Sequence, residues 1–300
     1  MKKSTMFREL MAKEEMIIAP GAYDCISAMI LEGLGYPAVF VSGLSLAASR
    51  MGMPDLGLEG RWLTVDQTRN IAACVDVPVI TDAGAGYGDS LSAYQTVKEL
   101  IEAGAAGCFI EDQTSPPVCP IIGPPQVITI DEFLPKIGAA LQARKDAGDE
   151  DFIFIARTDA AKTLGIDEAI RRAKAYRKAG ADAILMPGAP KDKEGLRKVV
   201  KALDAPYLSL PAFEKGLTVK DYKEIGVKIL TGIEAILAAA RAVKDVYQEL
   251  KDTGVIKESY CHHSVVMPEI TNILKIGKWS ELGKKYQASQ DISKLVRRSS

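Results

Sequence analysis

Acidic and basic side chains stand directly after three short apolar segments of the sequence. Asp82 follows the first segment, Glu111 and Asp112 follow the second, and Arg157 with Asp159 follows the third. Carboxylates bind divalent cations, and a guanidinium binds a carboxylate through two parallel hydrogen bonds. The pattern therefore predicts a site for a metal ion and a small anionic substrate. The alternative is that each aspartate caps the helix that follows it.

A long proline-rich connection comes after the second of these segments. Residues 114–129 contain five prolines, at positions 116, 117, 120, 124 and 125, together with Cys119. Loops of this length without regular structure often close over active sites. We therefore expect Cys119 to reach the same site. The alternative is a stiff surface loop with an incidental cysteine.

The apolar segments recur through the chain and are predicted to be strands. They are short and continuously apolar, which is typical of parallel strands buried on both faces. Amphipathic helices separate most of them, and those predicted over Ser90–Ala103 and Ile166–Ala179 end at Gly104 and Gly180, as helices commonly do. The eight predicted strands are Met16–Pro20, Ala38–Ser42, Val77–Thr81, Gly107–Ile110, Phe152–Ala156, Ala183–Met186, Tyr207–Leu210 and Lys228–Leu230.

Eight strands that alternate with helices predict a (β/α)8 barrel of the TIM type, with a doubly wound open sheet as the alternative. We expect the barrel to occupy residues 1–245 and a helical extension to occupy residues 246–300. Catalytic groups of such barrels lie at the carboxyl ends of the strands. Asp82, Glu111 and Arg157 all follow strand ends, so we expect them to converge on one cavity.

Composition and charge exclude several classes of partner. Lys and Arg number 38 against 39 Asp and Glu, and this net charge of −1 offers no basic surface for nucleic acid. No apolar run reaches the roughly 18 residues of a membrane helix. The charged N-terminus, MKKSTMFRELMAKEE, does not resemble a signal peptide. The five cysteines include no CxxC pair, which favours a reducing, cytoplasmic location.

A series of motifs resembles the isocitrate lyase/phosphoenolpyruvate mutase superfamily. The motifs are PGAYD, VSG, MGMPDLG, TDAGAGYG, FIEDQ with Cys119 eight residues beyond Glu111, IARTDA and GADAILMPGAP. The resemblance covers roughly residues 5–245 and is greatest to short members such as methylisocitrate lyase, dimethylmalate lyase, oxaloacetate decarboxylase and the phosphonopyruvate enzymes. Residues 265–286 also resemble the family's terminal helices, one of which is exchanged between subunits. The resemblance therefore implies a homo-oligomer, a dimer or a tetramer.

The resemblance also implies roles for residues that would handle the substrate. Ser42, Gly43 and Leu44 match the turn that binds a substrate carboxylate, and Arg157 matches the arginine that pairs with one. Cys119 stands where the lyases have the cysteine that protonates the enolate after the carbon–carbon bond breaks. A small carboxylic acid is therefore the expected substrate.

The metal site of the superfamily is only partly retained. Asp82 matches the first aspartate of its D-A-D motif, and Asp55 matches a residue that supports the metal site from behind. Glu111 matches a glutamate that helps to hold Mg²⁺ through water, and it is a further catalytic candidate. The second aspartate of the motif, the direct ligand, is Gly84 here. Mg²⁺ is thus the implied cofactor, held more weakly by fewer carboxylates and its own waters.

Other polar positions of the family are replaced as well. Around Cys119 the lyases read K-R-C-G-H, whereas this chain reads P-V-C-P-I, so no neighbouring cation lowers the pKa of the thiol. A family glutamate after strand six is Gly188 here, and a family asparagine after strand seven is replaced by Leu210 or Pro211. These changes predict a more apolar cavity and a substrate with fewer carboxylates or a bulkier apolar group.

Together these features predict a carbon–carbon lyase. Cleavage of a small 2-hydroxy carboxylic acid, of the methylisocitrate or dimethylmalate kind, needs a base, a stabiliser of the enolate and an acid that protonates carbon. The products are a 2-oxo acid and a carboxylic acid. Two alternatives stay open, namely a decarboxylase or hydrolase of a 2-oxo acid and a non-catalytic member of the superfamily.

Overall fold

The computed structural model describes residues 1–210, 216–257 and 263–286. Met1–Leu237 form one compact unit, and the described residues from Ala238 onward belong to a second. The predicted domain boundary after residue 245 stays a prediction. Pro211 lies outside the described residues. Within the described ranges, no helix is both long and apolar enough to cross a membrane.

Within the described residues, nine short strands form one parallel sheet, and each of the eight predicted segments overlaps a strand. Neighbours in the sheet follow the order of the sequence, except that β1 pairs with β9. This order is consistent with a TIM-type barrel and differs from a doubly wound sheet, in which the strand order reverses. The strands are β1 Ile17–Ile18, β2 Gly21–Ala22, β3 Val39–Val41, β4 Val79–Asp82, β5 Gly107–Glu111, β6 Ile153–Arg157, β7 Ala183–Leu185, β8 Tyr207–Ser209 and β9 Ile229–Leu230.

Both ends of the sheet are formed by one stretch of chain. β1 pairs with β9 and β2 pairs with β3, and only Ala19 and Pro20 separate the two strands. The Ala19 amide donates to the Leu230 carbonyl at 2.9 Å, and the Pro20 carbonyl accepts from the Phe40 amide at 2.9 Å. The sequence predicted a single strand here. The ladder is interrupted because Pro20 has no N–H to donate.

Helices of the first unit pack against the sheet through shared apolar clusters. The helices predicted from Ser90 and Ile166 are confirmed, and Gly104 and Gly180 beyond their ends have φ of +87° and +108°, where a side chain would strain the backbone. A π-helical turn, Ala47–Met51, follows α3. The described α-helices are α1 Lys3–Ala12, α2 Cys25–Gly33, α3 Gly43–Leu46, α4 Gly60–Cys74, α5 Ser90–Glu102, α6 Ile130–Asp146, α7 Ala160–Thr163, α8 Ile166–Lys178, α9 Lys193–Leu203, α10 Val219–Ile225, α11 Glu234–Thr253, α12 His263–Ile273 and α13 Ile276–Tyr286.

The strands are buried on both faces. One apolar cluster gathers strand residues such as Phe40 and Phe109 with Phe7 of α1, while a second joins strand residues such as Ile110 to Phe133 of α6. Truncation of a buried phenylalanine to alanine typically costs about 3–5 kcal/mol of stability. This double packing holds the strands in register, and the register fixes which side chains emerge together at the carboxyl ends.

Candidate active site

A cavity of about 570 Å³ opens among the carboxyl ends of the strands. Most of the site residues predicted from the sequence line it. Two others do not line the cavity but contact residues that do. The Gly43 amide donates to Asp82, and Glu111 forms an ion pair with Arg157. The structure therefore brings the predicted set together in one place. The predicted residues that line the cavity are Ser42, Leu44, Asp55, Asp82, Cys119 and Arg157.

Asp82 is held by two backbone amides at the end of β4. Its Oδ1 accepts the Gly84 amide at 2.9 Å, and its Oδ2 accepts the Gly43 amide at 3.2 Å. The amide that the family resemblance assigns to a substrate carboxylate thus donates to Asp82 here. Burial raises the pKa of Asp82, although Arg157 and the two amides oppose this shift. The carboxyl group faces the cavity in a fixed orientation.

Arg157 lies at the centre of a buried ion-pair cluster. The parallel register pairs Glu111 of β5 with Arg157 of β6, and Nη2 contacts Glu111 Oε2 at 2.9 Å. Asp159 accepts hydrogen bonds from Nε at 3.0 Å and from Nη2 at 3.2 Å. Burial raises the pKa of Glu111, and the charge of Arg157 counteracts it. Nη1 has no hydrogen-bond partner within the described ranges, and Arg157 lines the cavity, so this nitrogen is available to an anion.

Asp112 belongs to the framework of the fold. Its carboxylate accepts hydrogen bonds from Thr158 Oγ1 at 2.7 Å, the Asp159 amide at 3.0 Å, Arg172 at 3.0 Å and the Tyr176 hydroxyl at 2.8 Å. Three of these donors reach Oδ2 and one reaches Oδ1, and Asp112 is not among the residues that line the cavity. Helix capping does not explain Asp159 either, because it precedes α7 without a side-chain cap.

Cys119 faces the cavity from the proline-rich loop. Its amide donates to the Asp55 carbonyl at 3.3 Å, which fastens this loop to the segment before α4. Burial raises the pKa of the thiol to about 11, and the nearby charge of Asp55 acts in the same direction. The thiol is therefore neutral and carries a proton at pH 7, as an acid must.

Gln113 is a site residue that the sequence analysis missed. It is 1% exposed, and its Nε2 donates to Asp159 Oδ2 at 2.9 Å while its Oε1 accepts the Val118 amide at 3.0 Å. Gln113 also forms an antiparallel bridge with Val127 at the other end of the loop. It thus connects the Arg157 ion pairs to the loop that carries Cys119. The available signal was a long polar side chain between a strand end and a long loop.

Glu59 is a second residue that the sequence analysis missed. It is 5% exposed, and within the described residues its Oε2 has no hydrogen-bond partner. Burial raises the pKa of Glu59 to about 7, and that of the cavity-lining Asp55 to about 6. The nearby charge of Asp82 raises both pKa values, and that of Asp55 also raises the pKa of Glu59. Two carboxyl groups with pKa values near neutrality therefore lie on this side of the cavity.

The described side chains do not fit a directly coordinated Mg²⁺. No group of three or more His, Cys, Asp or Glu in the described ranges is arranged to hold a metal ion. Both oxygens of Asp82 accept amides, Glu111 is paired with Arg157, and Gly84 contributes no side chain. A Cβ on Gly84 would lie 3.8 Å from Pro117, so the loop partly covers the position of the missing ligand.

The opposite side of the cavity is apolar. Gly188, where a polar family residue is replaced, lines it, and so does Leu210, one of the two candidates for the second replaced position. Gly188 has φ of +85°, and a Cβ there would come within 3.3 Å of the Lys162 amide, so a larger residue would strain this backbone. The remaining apolar lining comes from the ends of β7 to β9 and from α9 and α10, and includes Leu185, Met186, Leu196, Tyr207, Leu217 and Ile233.

Known proteins of similar sequence cover most of this chain. Carboxyvinyl-carboxyphosphonate phosphorylmutase of Arabidopsis thaliana is 35% identical over 291 residues, which is 94% of this chain and 84% of that protein. The 2-methylisocitrate lyase of Aeropyrum pernix is 35% identical over 261 residues, which is 84% of this chain and 81% of that protein.

Solved structures of similar fold add two hydrolases. Oxaloacetate acetylhydrolase in complex with the inhibitor 3,3-difluorooxalacetate superposes with a TM-score of 0.87 and 30% identity, covering 95% of this chain and 97% of that one. Phosphonopyruvate hydrolase in complex with oxalate and Mg²⁺ superposes with a TM-score of 0.85 and 30% identity, covering 95% and 99%. The family model for phosphoenolpyruvate phosphomutase matches residues 7–251, and the chain belongs to the PEP mutase family within the phosphoenolpyruvate mutase/isocitrate lyase superfamily.

Proposed function

We propose that this protein is a carbon–carbon lyase that cleaves a small 2-hydroxy carboxylic acid into a 2-oxo acid and a carboxylic acid. The observation that carries the proposal is that a neutral thiol, a guanidinium and carboxyl groups face one cavity, as Cys119, Arg157, Asp55 and Asp82 do. Similarity to a 2-methylisocitrate lyase supports the same class of reaction.

Arg157 binds the carboxylate next to the carbinol through Nη1, and Glu111 and Asp159 hold the guanidinium in place. Ser42 and Leu44 position the substrate from the end of β3. Asp55 is the base, because a carboxyl group with a pKa of about 6 is ionised at pH 7 and still basic enough to accept a proton.

The reaction balances without an external reagent. Asp55 takes the hydroxyl proton, the carbon–carbon bond breaks, and its electron pair passes to the departing fragment as an enolate. The Cys119 thiol donates its proton to carbon, which gives the carboxylic acid. Asp55 then releases its proton to solvent, and solvent returns a proton to the thiolate. No step runs through a metal ion. The superfamily cofactor Mg²⁺ stays a prediction that direct titration tests.

A decarboxylase or hydrolase of a 2-oxo acid is the second candidate. The similarity to oxaloacetate acetylhydrolase favours it, as does the absence of cations beside Cys119 in sequence. Such a reaction needs no thiol acid, so the cysteine separates the two candidates. A non-catalytic member of the superfamily is the third.

The test compares wild type with Cys119→Ser. Wild type is expected to release a 2-oxo acid from 2,3-dimethylmalate or 2-methylisocitrate, and C119S to lose at least 100-fold in kcat, because general acids contribute about 10²–10⁴-fold. Oxalate binding, measured by calorimetry, should change less than twofold. Unchanged turnover of C119S on oxaloacetate would favour the second candidate. Absence of heat with oxalate and pyruvate at millimolar concentration would remove both.

We further propose that β1 and β2 are one strand interrupted at Pro20, which gives the eight strands of a complete (β/α)8 barrel. A cytoplasmic homo-oligomer, a dimer or a tetramer, without a nucleic-acid or membrane partner is the assembly that the sequence predicts. Sedimentation velocity measures the oligomeric state.

A further inference from the structure

The cavity is divided by the chemistry of its walls. Three charged side chains line one wall. Asp82 comes from the end of β4, Arg157 from the end of β6, and Asp55 from the segment that contacts the Cys119 loop. From β7 to β9 the described residues add two charged side chains to the lining, Lys191 and Glu234, and Lys162 of α7 lies beside Gly188. A substrate bound by its carboxylate at Arg157 therefore directs the rest of its structure toward an apolar wall.

The apolar wall extends into the layer between the sheet and the helices. Leu196 of α9, Leu217 before α10 and Tyr207 of β8 line the cavity, and they also belong to the main apolar core cluster. The Tyr207 hydroxyl donates to the Met186 carbonyl at 3.2 Å, so this polar atom is already satisfied. The part of the wall formed by these residues is therefore mainly hydrocarbon.

The size of the cavity exceeds what a very small acid requires. A volume of about 570 Å³ falls within the roughly 300–1,000 Å³ of pockets that enclose drug-sized ligands. A three-carbon acid at Arg157 would leave the apolar wall in contact with water. Filling that volume with hydrocarbon removes apolar surface from water on both sides.

We propose that the wall formed by β7–β9, α9 and α10 is a subsite for a hydrocarbon chain of the substrate. This inference rests on the proposed function, since Arg157 must bind the carboxylate. The substrate class is then a 2-hydroxy acid whose cleavage yields a 2-oxo monocarboxylate with an unbranched or branched alkyl chain. The 2-oxo acid product carries that chain into the subsite.

Product binding provides the test, because it needs no knowledge of the full substrate. The wild-type protein is titrated by calorimetry with pyruvate, 2-oxobutanoate, 2-oxopentanoate and 2-oxohexanoate, and with oxalate as the reference for the carboxylate site. We expect Kd to fall about fourfold for each added methylene, the equivalent of about 0.8 kcal/mol. The matched dicarboxylate 2-oxoadipate should bind at least tenfold more weakly than 2-oxohexanoate, because a terminal carboxylate would be desolvated against the wall.

Two variants locate the effect in the subsite. Ala189 lines the cavity between β7 and α9, and Ala189→Phe should fill part of the subsite. We expect this variant to bind oxalate normally and to lose the gain from the longer chains. Ala73→Phe, which changes an exposed residue of α4 away from the cavity, is the matched control and should behave as wild type.

The outcomes separate this inference from the proposed function. Oxalate and pyruvate binding with no gain along the series, or tighter binding of 2-oxoadipate, would overturn the alkyl subsite and leave the lyase proposal intact. Failure of every acid, oxalate included, would overturn the carboxylate site and with it the proposed function. A gain that persists in A189F would also overturn the subsite, because the chain would then lie elsewhere.

Discussion

The two sides of the cavity are built by different means. On the polar side, Arg157, Glu111 and Asp159 are fixed by mutual ion pairs between neighbouring strand ends. On the apolar side, residues such as Leu196 and Leu217 are fixed by packing into the core. The ion pairs orient a bound carboxylate, and their contribution to stability changes with pH. The packed apolar side chains select substrates by shape, and their contribution does not change with pH. The comparison indicates that recognition of the acid group and selection of the remainder of the substrate are separable.

Among the variants considered, removal of the Arg157 guanidinium should cause the largest loss in the free energy of unfolding. Arg157→Ala leaves Glu111 and Asp159 buried without their cation, and we expect the free energy of unfolding to fall by about 3–5 kcal/mol. The matched change on the apolar side, Leu217→Ala, is expected to cost about 2–5 kcal/mol. Urea titrations of both variants measure these losses.

The pH dependence distinguishes the two losses. Without the opposing charge of Arg157, burial raises the pKa of Glu111 further, so the stability of R157A should fall as pH rises from 5 to 8. The loss in L217A should be the same at both pH values. An equal pH response in the two variants would contradict the assignment of the two sides.

Gln113 connects the Arg157 ion pairs to the Cys119 loop through hydrogen bonds to Asp159 and to the Val118 amide. Its removal should cause the next largest loss in the free energy of unfolding. Gln113→Leu leaves the Val118 amide without its acceptor, a cost of about 1–3 kcal/mol for a buried group. We expect Cys119 to react with iodoacetamide about tenfold faster as the loop opens, with oxalate affinity little changed. Exposed Gln142→Ala is the control. A rate equal to that of wild type would mean that the loop is held without Gln113.

Ionisation of Glu59 should lower the free energy of unfolding of the protein as pH rises. Its pKa is about 7 in the folded protein against an ordinary 4.5, so the folded state binds more protons between these values. The contribution to stability is therefore full below pH 4.5 and is lost as pH rises through 7. Glu59→Gln cannot ionise, and it should exceed wild type by on the order of 2 kcal/mol at pH 8 and match it at pH 4. Urea unfolding at both pH values checks this, and an equal difference at both would refute it.

Much of the polar side could be predicted from sequence, because the three strands that carry it are short, apolar and followed at once by charge. Asp82, Glu111 and Arg157 needed only the rule that parallel strands end at one edge. Gln113 and Glu59 could not be found this way, since their roles depend on a loop folding back onto the strands. The division of β1 and β2 was missed for a similar reason, because the effect of Pro20 depends on pairing with strands distant in sequence.

The smallest expected effect comes from restoring a carboxylate to the polar side. Gly84 has φ of +50°, a conformation that aspartate tolerates better than most residues, and its Cβ would make only ordinary contact with Pro117 at 3.8 Å. Gly84→Asp adds a carboxylate beside Asp82, so we expect its affinity for Mg²⁺ to exceed that of wild type about tenfold, equivalent to about 1.4 kcal/mol. The comparison variant is Gly188→Asp, which adds the same group to the apolar side, where Lys162 and Ala161 already crowd the position.

Calorimetric titration with Mg²⁺ should detect a higher affinity in G84D than in wild type and no increase in G188D. Equal gains in both would mean that added negative charge, rather than the position next to Asp82, attracts the ion.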